Sequence, residues 1–421
     1  MLCVETLGRA GIAYRLLGAS DIRRGGLDNF KILLVPGGWA AHKVRALRDG
    51  GKKKIAEFLD RGGTYIGFCG GAGMALSSPP ALGLAPVERM ALAERLPSAS
   101  GRIIVSGPPA HPAWKEIPAR IPVSVWWPSQ FKWNVRSPGA GHVLATYSDP
   151  GDDFRVADLR VSDLDSNISW PDLERSYGIN LDPDRIKGHP AIIETQRGRG
   201  RLILSYAHLE TPGDYWGNRL LFNILEYLDE RAEVFGMKAA EDLGALERRD
   251  VSDENAWKSI HRAREAAADL IAFGEANLLW NWRTPWLLNW RRGIRGLEYG
   301  TLFVTLDYMC QVNDKQPGIA AIGKEWLERA KRLEADTVQF QALAKRLLLE
   351  EKIATQTGTV SKLGSVNERV DTLRVALFGN KMNHGGLCRA LFDLIDSMLL
   401  DLLRSCEAGK IEGAMAASKP L

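Results

Sequence analysis

The chain has 421 residues and a mass of 46.5 kDa, room for about two to three domains, and its 45% hydrophobic and 25% charged content is that of a folded protein, not a disordered one. A net charge of +4, from 55 basic and 51 acidic residues, is too small to argue for nucleic acid as a partner. The most apolar stretch, Leu387 to Leu403, is interrupted by Arg389, Asp393, Asp396 and Asp401, so no membrane span and no membrane partner are expected.

Five scattered cysteines without CxxC spacing, and no basic-then-apolar leader, predict a cytoplasmic protein without a disulfide framework or a thiolate metal site. Short apolar runs bounded by turn residues predict strands at Ile12–Leu17, Lys31–Val35, Thr64–Phe68, Arg102–Ser106, His142–Tyr147, Ala191–Thr195 and Arg201–Tyr206. Ile32-Leu33-Leu34-Val35 ends in Pro36-Gly37-Gly38, the manner in which a buried parallel strand ends at its carboxyl edge. Lys52–Asp60 then places Ile55, Phe58 and Leu59 on one helical face, and Arg61-Gly62-Gly63 stops the helix before the next strand. Strand, helix, strand in that order implies a crossover unit in a parallel sheet. Gly198-Arg199-Gly200-Arg201 reads as a tight turn before the last strand.

Beyond about residue 233 strand signals fade. Ala256–Phe273, Lys324–Ile353, Val366–Leu377 and Leu387–Leu403 carry apolar residues at three- and four-residue spacing, and Glu407–Leu421 reads as a frayed tail. Two domains are therefore expected, an α/β domain over 1–233 and an all-helical domain over 234–421. Trp280, Trp282, Trp286 and Trp290 occur among Arg283, Arg291, Arg292 and Arg295, and the four-residue recurrence fits a packed helical stripe better than a surface for membrane or nucleic acid. Lys52-Lys53-Lys54 reads as a solvated helix face.

One constellation carries chemistry. Gly67-Phe68-Cys69-Gly70-Gly71 follows a strand and opens a small-residue helix, the pattern of a nucleophile elbow with cysteine as nucleophile. Glycines flank such a turn because neighbouring backbone leaves no room for a Cβ. The helix N-terminus favours thiolate over thiol. His208-Leu209-Glu210 lies just past the last strand, and in extended chain residues i and i+2 point the same way, so Glu210 can hold the imidazole toward Cys69. The backbone N–H groups of Gly38 and Gly70 are candidates for an oxyanion hole. Trp39 and Trp127, the latter within Trp126–Trp133, are candidate substrate contacts. His42, His111, His142 and His189 lack ligand spacing, so no metal and no cofactor are expected.

Pro36-Gly37-Gly38, Gly62-Gly63-Thr64-Tyr65-Ile66-Gly67-Phe68-Cys69-Gly70-Gly71 and His208-Leu209-Glu210 resemble the class I glutamine amidotransferase-like superfamily. Within it the chain looks most like the domain at the N-terminus of some eukaryotic biotin–protein ligases. The resemblance covers roughly residues 1–233. It implies a flavodoxin-like three-layer α/β sandwich with a mostly parallel sheet, a Cys69/His208/Glu210 triad and oxyanion donors at Gly38 and Gly70. The usual His-Pro-Glu is His-Leu-Glu here, and Gly70 stands where alanine is frequent. Such domains begin with a strand and a full helix, whereas this chain begins at Met1-Leu2-Cys3, inside that helix; the first strand is expected to be missing. No biotin-ligating half is visible downstream.

The expected function is cleavage of a carboxamide-type C–N bond through a covalent thioester, with glutamine the default donor by resemblance. A small-molecule amide is then the substrate, and a separate ammonia-accepting synthetase is the candidate protein partner. The alternative is an inactive amidotransferase-like scaffold that binds a small ligand or a protein. The two differ in whether Cys69 is a reactive thiolate.

Overall fold

The computed structural model describes residues 1–133, 141–230, 254–315, 323–358, 360–361, 364–379 and 385–417. The chain divides into two compact units, Met1–Asp242 and Leu243–Leu421. The boundary expected at 233/234 falls outside the described residues.

The first unit opens with α1 (Leu2–Arg9), whose buried Cys3, Thr6 and Leu7 recur at helical spacing on one face. A short helix α2 (Ala19–Arg23) precedes β1 (Ile32–Val35), α3 (Ala40–Asp60), β2 (Thr64–Phe68) and α4 (Gly70–Ala75). The expected helix at Lys52–Asp60 is the second half of α3, which kinks at Arg48, where φ is 53°. Then come β3 (Glu88–Arg89), β4 (Ala99–Ser106), β5 (Arg120–Trp126), β6 (Phe131–Lys132), β7 (His142–Pro150), β8 (Arg155–Val156) and β9 (Leu159–Arg160). Helix α5 (Trp170–Tyr177), β10 (Pro190–Arg197), β11 (Gly200–Ser205) and α6 (Tyr215–Glu230) complete the unit.

Nine strands form one sheet in the order β1-β2-β11-β10-β7-β4-β8-β9, with β5 also on β4. Parallel pairing is confined to β1, β2 and β11, aligned as Leu34↔Ile66 and Ile203↔Ile66. The expectation of a mostly parallel sheet thus holds for the part that carries Cys69 and gives way to antiparallel pairing elsewhere. The physical reason is connection length. Only a two-residue turn, Gly198-Arg199 with Gly198 at φ 55°, separates β10 from β11, and so short a link permits only an antiparallel hairpin.

Among the described residues no strand precedes residue 10. Ile12–Leu17, expected as a strand, has the alternating exposure of one (Ile12, Tyr14 and Leu16 half-buried; Ala13 and Arg15 exposed) but takes no place in the sheet, where β1 pairs with β2 alone. A period of two is necessary for a strand; a neighbouring edge must complete it. Strand β5 is not expected from the residues because Pro122 interrupts it, and it is tolerated because β5 pairs only with β4.

The second unit contains α7 (Glu254–Ala276), the hairpin β12 (Trp280–Thr284) and β13 (Leu287–Trp290), α8 (Gly296–Lys315), α9 (Gly323–Ala354), α10 (Glu368–Phe378) and α11 (Gly386–Ala417). It is therefore not all-helical. The tryptophan cluster belongs to the hairpin, where Trp280 pairs with Trp290 and Trp282 with Leu288, not to a helix. A spacing of four is a multiple of two and fits a strand as well as a helix. Trp280 is buried against Gly274, where an added Cβ would lie 1.9 Å from its ring, and its Nε1 donates to the Ile271 carbonyl at 2.9 Å. The expected tail at Glu407–Leu421 continues α11 to Ala417; 418–421 lie outside the described residues.

The core of this unit contains charge. Arg374 Nε donates to Glu351 Oε1 at 2.8 Å and its Nη1 to the carbonyls of Ser361 and Gly364, both at 2.9 Å; Glu351 is 1% exposed. Burial pushes the Glu351 carboxyl above its ordinary range, against the pull of Arg374. A carboxylate stripped of its partner can take up a proton, whereas a guanidinium cannot shed one. Glu351→Leu should therefore destabilise this unit by about 3–5 kcal/mol, Arg374→Met by less, and the double variant should recover most of the loss. Denaturation followed by hydrogen exchange in α9 and α10 checks that order.

Candidate functional site

The site is built where β1, β2 and β11 end. Cys69 follows β2 directly and adopts φ 47°, ψ −107°, a left-handed conformation that costs a non-glycine residue about 1–3 kcal/mol. Two hydrogen bonds hold it there: Cys69 N–H donates to the Ser205 carbonyl at the end of β11 (2.7 Å), and Gly73 N–H donates to the Cys69 carbonyl (2.8 Å).

The glycines around it are required by close approach. A Cβ on Gly70 would lie 1.6 Å from the Gly38 carbonyl oxygen, and one on Gly71 would lie 2.1 Å from the Val35 carbonyl oxygen. Alanine, frequent at position 70 in the resembled superfamily, is excluded here because the Gly38 oxygen already occupies its Cβ space. Gly38 itself has φ 101°. The two candidate oxyanion residues, Gly38 and Gly70, are thus in direct backbone contact, and the Gly70 N–H donates to the Cys69 sulfur.

His208 and Glu210 lie on the loop after β11 and are 6% and 2% exposed, with Leu209 between them in the core. His208 Nδ1 and Glu210 Oε1 are 2.8 Å apart. That bond leaves Nε2 as the nitrogen facing outward from the pair; Nε2 is buried and makes no well-formed hydrogen bond. The loop is anchored on every side. His208 N–H donates to the Ser124 carbonyl (2.8 Å), Asn218 Nδ2 to the carbonyls of Leu209 (2.7 Å) and Thr211 (2.9 Å), and Thr6 Oγ1 to the Glu210 carbonyl (2.8 Å). Gly37 closes one face, since a Cβ there would lie 2.7 Å from His208 Cε1. Lys43 Nζ donates to the Gly37 carbonyl at 2.7 Å and so ties that loop to α3.

Charge coupling sets the protonation state. Burial pushes the Cys69 thiol up, but the His208 cation and the Gly70 N–H outweigh it and bring the thiol below an ordinary cysteine. Burial works against the His208 cation, yet the charges of Glu210 and Cys69 raise it to about 10. Both shifts point the same way, toward thiolate on Cys69 and a cation on His208, with the Glu210 carboxylate 2.8 Å from the imidazole. When the sulfur carries its proton it donates to the Trp126 carbonyl at 3.8 Å.

Of the two tryptophans expected to contact substrate, Trp39 is 49% exposed at the start of α3, and Trp127 is half-buried with φ 54° and its N–H on the Ala99 carbonyl. Trp126 is not one of that pair, yet its ring lies 6.5 Å from that of His208 and its buried Nε1 makes no hydrogen bond. Where the Trp126 ring lies depends on the register of β5 against β4, in which Trp126 pairs with Ser100. Among the described residues no group of three or more His, Cys, Asp or Glu side chains is placed to hold a metal ion, and no helix is long and apolar enough to cross a membrane.

Residues 27–78 match the family model described as biotin-protein ligase, N terminal. That span contains both Pro36-Gly37-Gly38 and the Cys69 turn. Among solved structures, the chain is similar to a putative GMP synthase subunit from Thermoplasma acidophilum, with 14% identity and a TM-score of 0.34 over 55% of this chain and 88% of that one. It is similar also to the cold-adapted β-galactosidase from Rahnella sp. R3 (14% identity, TM-score 0.33, 54% of this chain and 26% of that one). A ThuA-like protein from Bacteroides uniformis ATCC 8492 aligns at 12% identity, with a TM-score of 0.33 over 54% of this chain and 81% of that one. No curated protein matches the chain.

The charge coupling has a measurable consequence. Alkylation of Cys69 by iodoacetamide should persist well below the pH at which an ordinary thiol, with a pKa of about 8.5, protonates. In His208→Ala the cation is gone, only the Gly70 N–H still opposes burial and Glu210, and the midpoint should move up. Gly37→Ala, which displaces the imidazole without removing it, should fall between the two. Rates are to be followed by mass spectrometry of the Cys69 peptide.

Proposed function

We propose that the first unit is a cysteine hydrolase of the amidotransferase type, cleaving a carboxamide C–N bond through a covalent thioester. The observation that carries this reading is the Cys69 thiol, strained onto a helix N-terminus and drawn below its ordinary pKa by His208, which Glu210 orients at 2.8 Å. The family match over residues 27–78, which includes the Cys69 turn, supports an amidotransferase-like scaffold. A flavodoxin-like layering of helices on both faces of the β1, β2 and β11 segment belongs to the same proposal, as do the domain limits 1–233 and 234–421.

In the first step the Cys69 sulfur attacks the carboxamide carbon and a tetrahedral oxyanion forms, to be received by the N–H groups of Gly70 and Gly38. His208, protonated at Nε2 by the thiol, gives that proton to the departing nitrogen; the C–N bond breaks and ammonia leaves. Glu210 keeps the imidazole in the tautomer that needs this geometry and balances its charge. A water molecule, deprotonated by His208, then attacks the thioester carbon. The carboxylic acid is released, the sulfur leaves as thiolate, and the proton taken from water stays on His208, which restores the starting pair. Trp39 and Trp127 are proposed as pocket walls, and the unsatisfied Nε1 of Trp126 as a donor to the substrate. Glutamine is the default donor, and a separate ammonia-accepting enzyme the default partner.

A panel of primary carboxamides including L-glutamine, with released ammonia measured enzymatically, is the test. Cys69→Ala should abolish turnover, and Glu210→Gln should lower kcat by about 10²–10⁴-fold with KM little changed, as expected for loss of the group that orients a catalytic base. An acyl adduct on Cys69, trapped by hydroxylamine as the hydroxamate, should form with the unsubstituted chain and not with His208→Ala, which loses both the thiolate and the acid for the leaving nitrogen. No adduct and no ammonia from any amide, with an ordinary Cys69 thiol, would favour the scaffold reading.

A further inference from the structure

The oxyanion donor at Gly38 belongs to a peptide that its own residues do not hold in place. Glycine stands on both sides of it, and without Cβ atoms the Gly37–Gly38 peptide can turn over about its flanking bonds at little cost. Its orientation matters because of where it lies. A Cβ on Gly37 would be 2.7 Å from His208 Cε1 and 3.5 Å from Cys69 Cβ, and the Gly38 nitrogen is 3.3 Å from the place a Cβ on Gly70 would take. Among the described residues the Gly38 N–H makes no hydrogen bond, so no protein acceptor fixes its direction.

Lys43 fixes it from the opposite end of the same peptide. Its Nζ donates to the Gly37 carbonyl at 2.7 Å and lies 3.1 Å from the position of a Cβ on Gly38. The Gly37–Gly38 bond is trans, so its C=O and its N–H project to opposite sides of the chain. An ammonium that captures the carbonyl therefore turns the N–H away from Lys43. The bond is charge-assisted and Lys43 is half-buried, so solvent screens it less than it would an exposed contact. The placement of Lys43 also works against its own helix. It is the fourth residue of α3, near the positive end of the helix dipole, and the first turn of α3 has no acidic residue to offset a cation. The loop carbonyl is what a cation gains at that position.

We propose that Lys43 is a positioning residue for the oxyanion hole: by holding the Gly37 carbonyl it aims the Gly38 N–H at the oxygen that becomes charged when the Cys69 sulfur adds to an acyl carbon. The inference rests on the hydrolase reading and adds to it a residue outside the triad, one that acts through the Gly37–Gly38 peptide. A donor aimed beforehand stabilises the oxyanion without having to reorient as the charge forms.

Two reagents that meet the same thiolate separate this role from a merely structural one. Iodoacetamide is attacked at a saturated carbon; iodide leaves and no oxyanion forms. With 4-nitrophenyl acetate the Cys69 sulfur adds to the carbonyl carbon, the carbonyl oxygen takes the charge, and the C–O bond then breaks to release 4-nitrophenolate. Both rates scale with the thiolate present, so their ratio is insensitive to a change in thiol ionisation. In the full chain, with the Cys69→Ala rate subtracted, Lys43→Met should lower the acylation-to-alkylation ratio about 10–100-fold and leave alkylation itself within about twofold, since a misdirected oxyanion donor affects acyl transfer alone. Lys43→Arg, which keeps a cationic donor, should retain more of the ratio than Lys43→Met. An unmoved ratio in Lys43→Met, or acylation and alkylation falling together, would overturn the assignment. A ratio that falls as expected while no amide releases ammonia would count against the hydrolase reading alone; ammonia release with an unmoved ratio would count against Lys43 alone.

Discussion

The site depends on backbone meeting backbone. Val35 to Gly38 at the end of β1 press directly on Gly70 and Gly71 at the start of α4, with carbonyl oxygens filling the space that side chains at 70 and 71 would need. This contact lets α4 start immediately after β2, and Cys69 between them takes a positive φ of 47°. Strain of about 1–3 kcal/mol is offset by the bonds to Ser205 and Gly73. The sulfur therefore emerges beside the first N–H of a helix instead of turning into the sheet.

Position alone does not make a thiol reactive, as the other cysteines demonstrate. Burial pushes Cys310 up to about 12 and raises Cys3 as well, the latter with help from Glu210. Cys69 suffers the same penalty and overcomes it because an imidazolium stands opposite. That imidazolium persists because Glu210 is itself buried and committed to His208 Nδ1. Helix α1 takes part through Thr6, whose Oγ1 donates to the Glu210 carbonyl, and the Glu210 charge helps raise the buried Cys3 thiol. The N-terminal helix is thus part of the site's foundation.

Much of the site was legible in the residues. Cys69, His208 and Glu210 sit at strand ends, where local pattern and a parallel crossover put them at one edge whatever the details of packing. Less was legible where pairing partners decide. Ile12–Leu17 has the period of a strand but no edge to join, and β5 exists despite Pro122 because it is an edge strand. The tryptophans at 280–290 suited a helix or a hairpin equally, and the groove at Gly274 and the pairing of Trp280 with Trp290 selected the hairpin. Helix α8 is hard to read from the residues since Gly296 and Gly300 dilute its apolar face, although Tyr299, Leu302, Leu306 and Met309 keep the helical interval.

By itself the sequence determined the β–turn–α unit around Cys69 and the i, i+2 pairing of His208 with Glu210, because both arise from interactions a few residues long. Tertiary structure decided the rest: that Gly38 meets Gly70, and that the Trp126 ring stands 6.5 Å from that of His208. Each of those depends on strand register or loop placement across many tens of residues. Register is chosen by the summed burial of whole faces, which no short stretch of residues encodes.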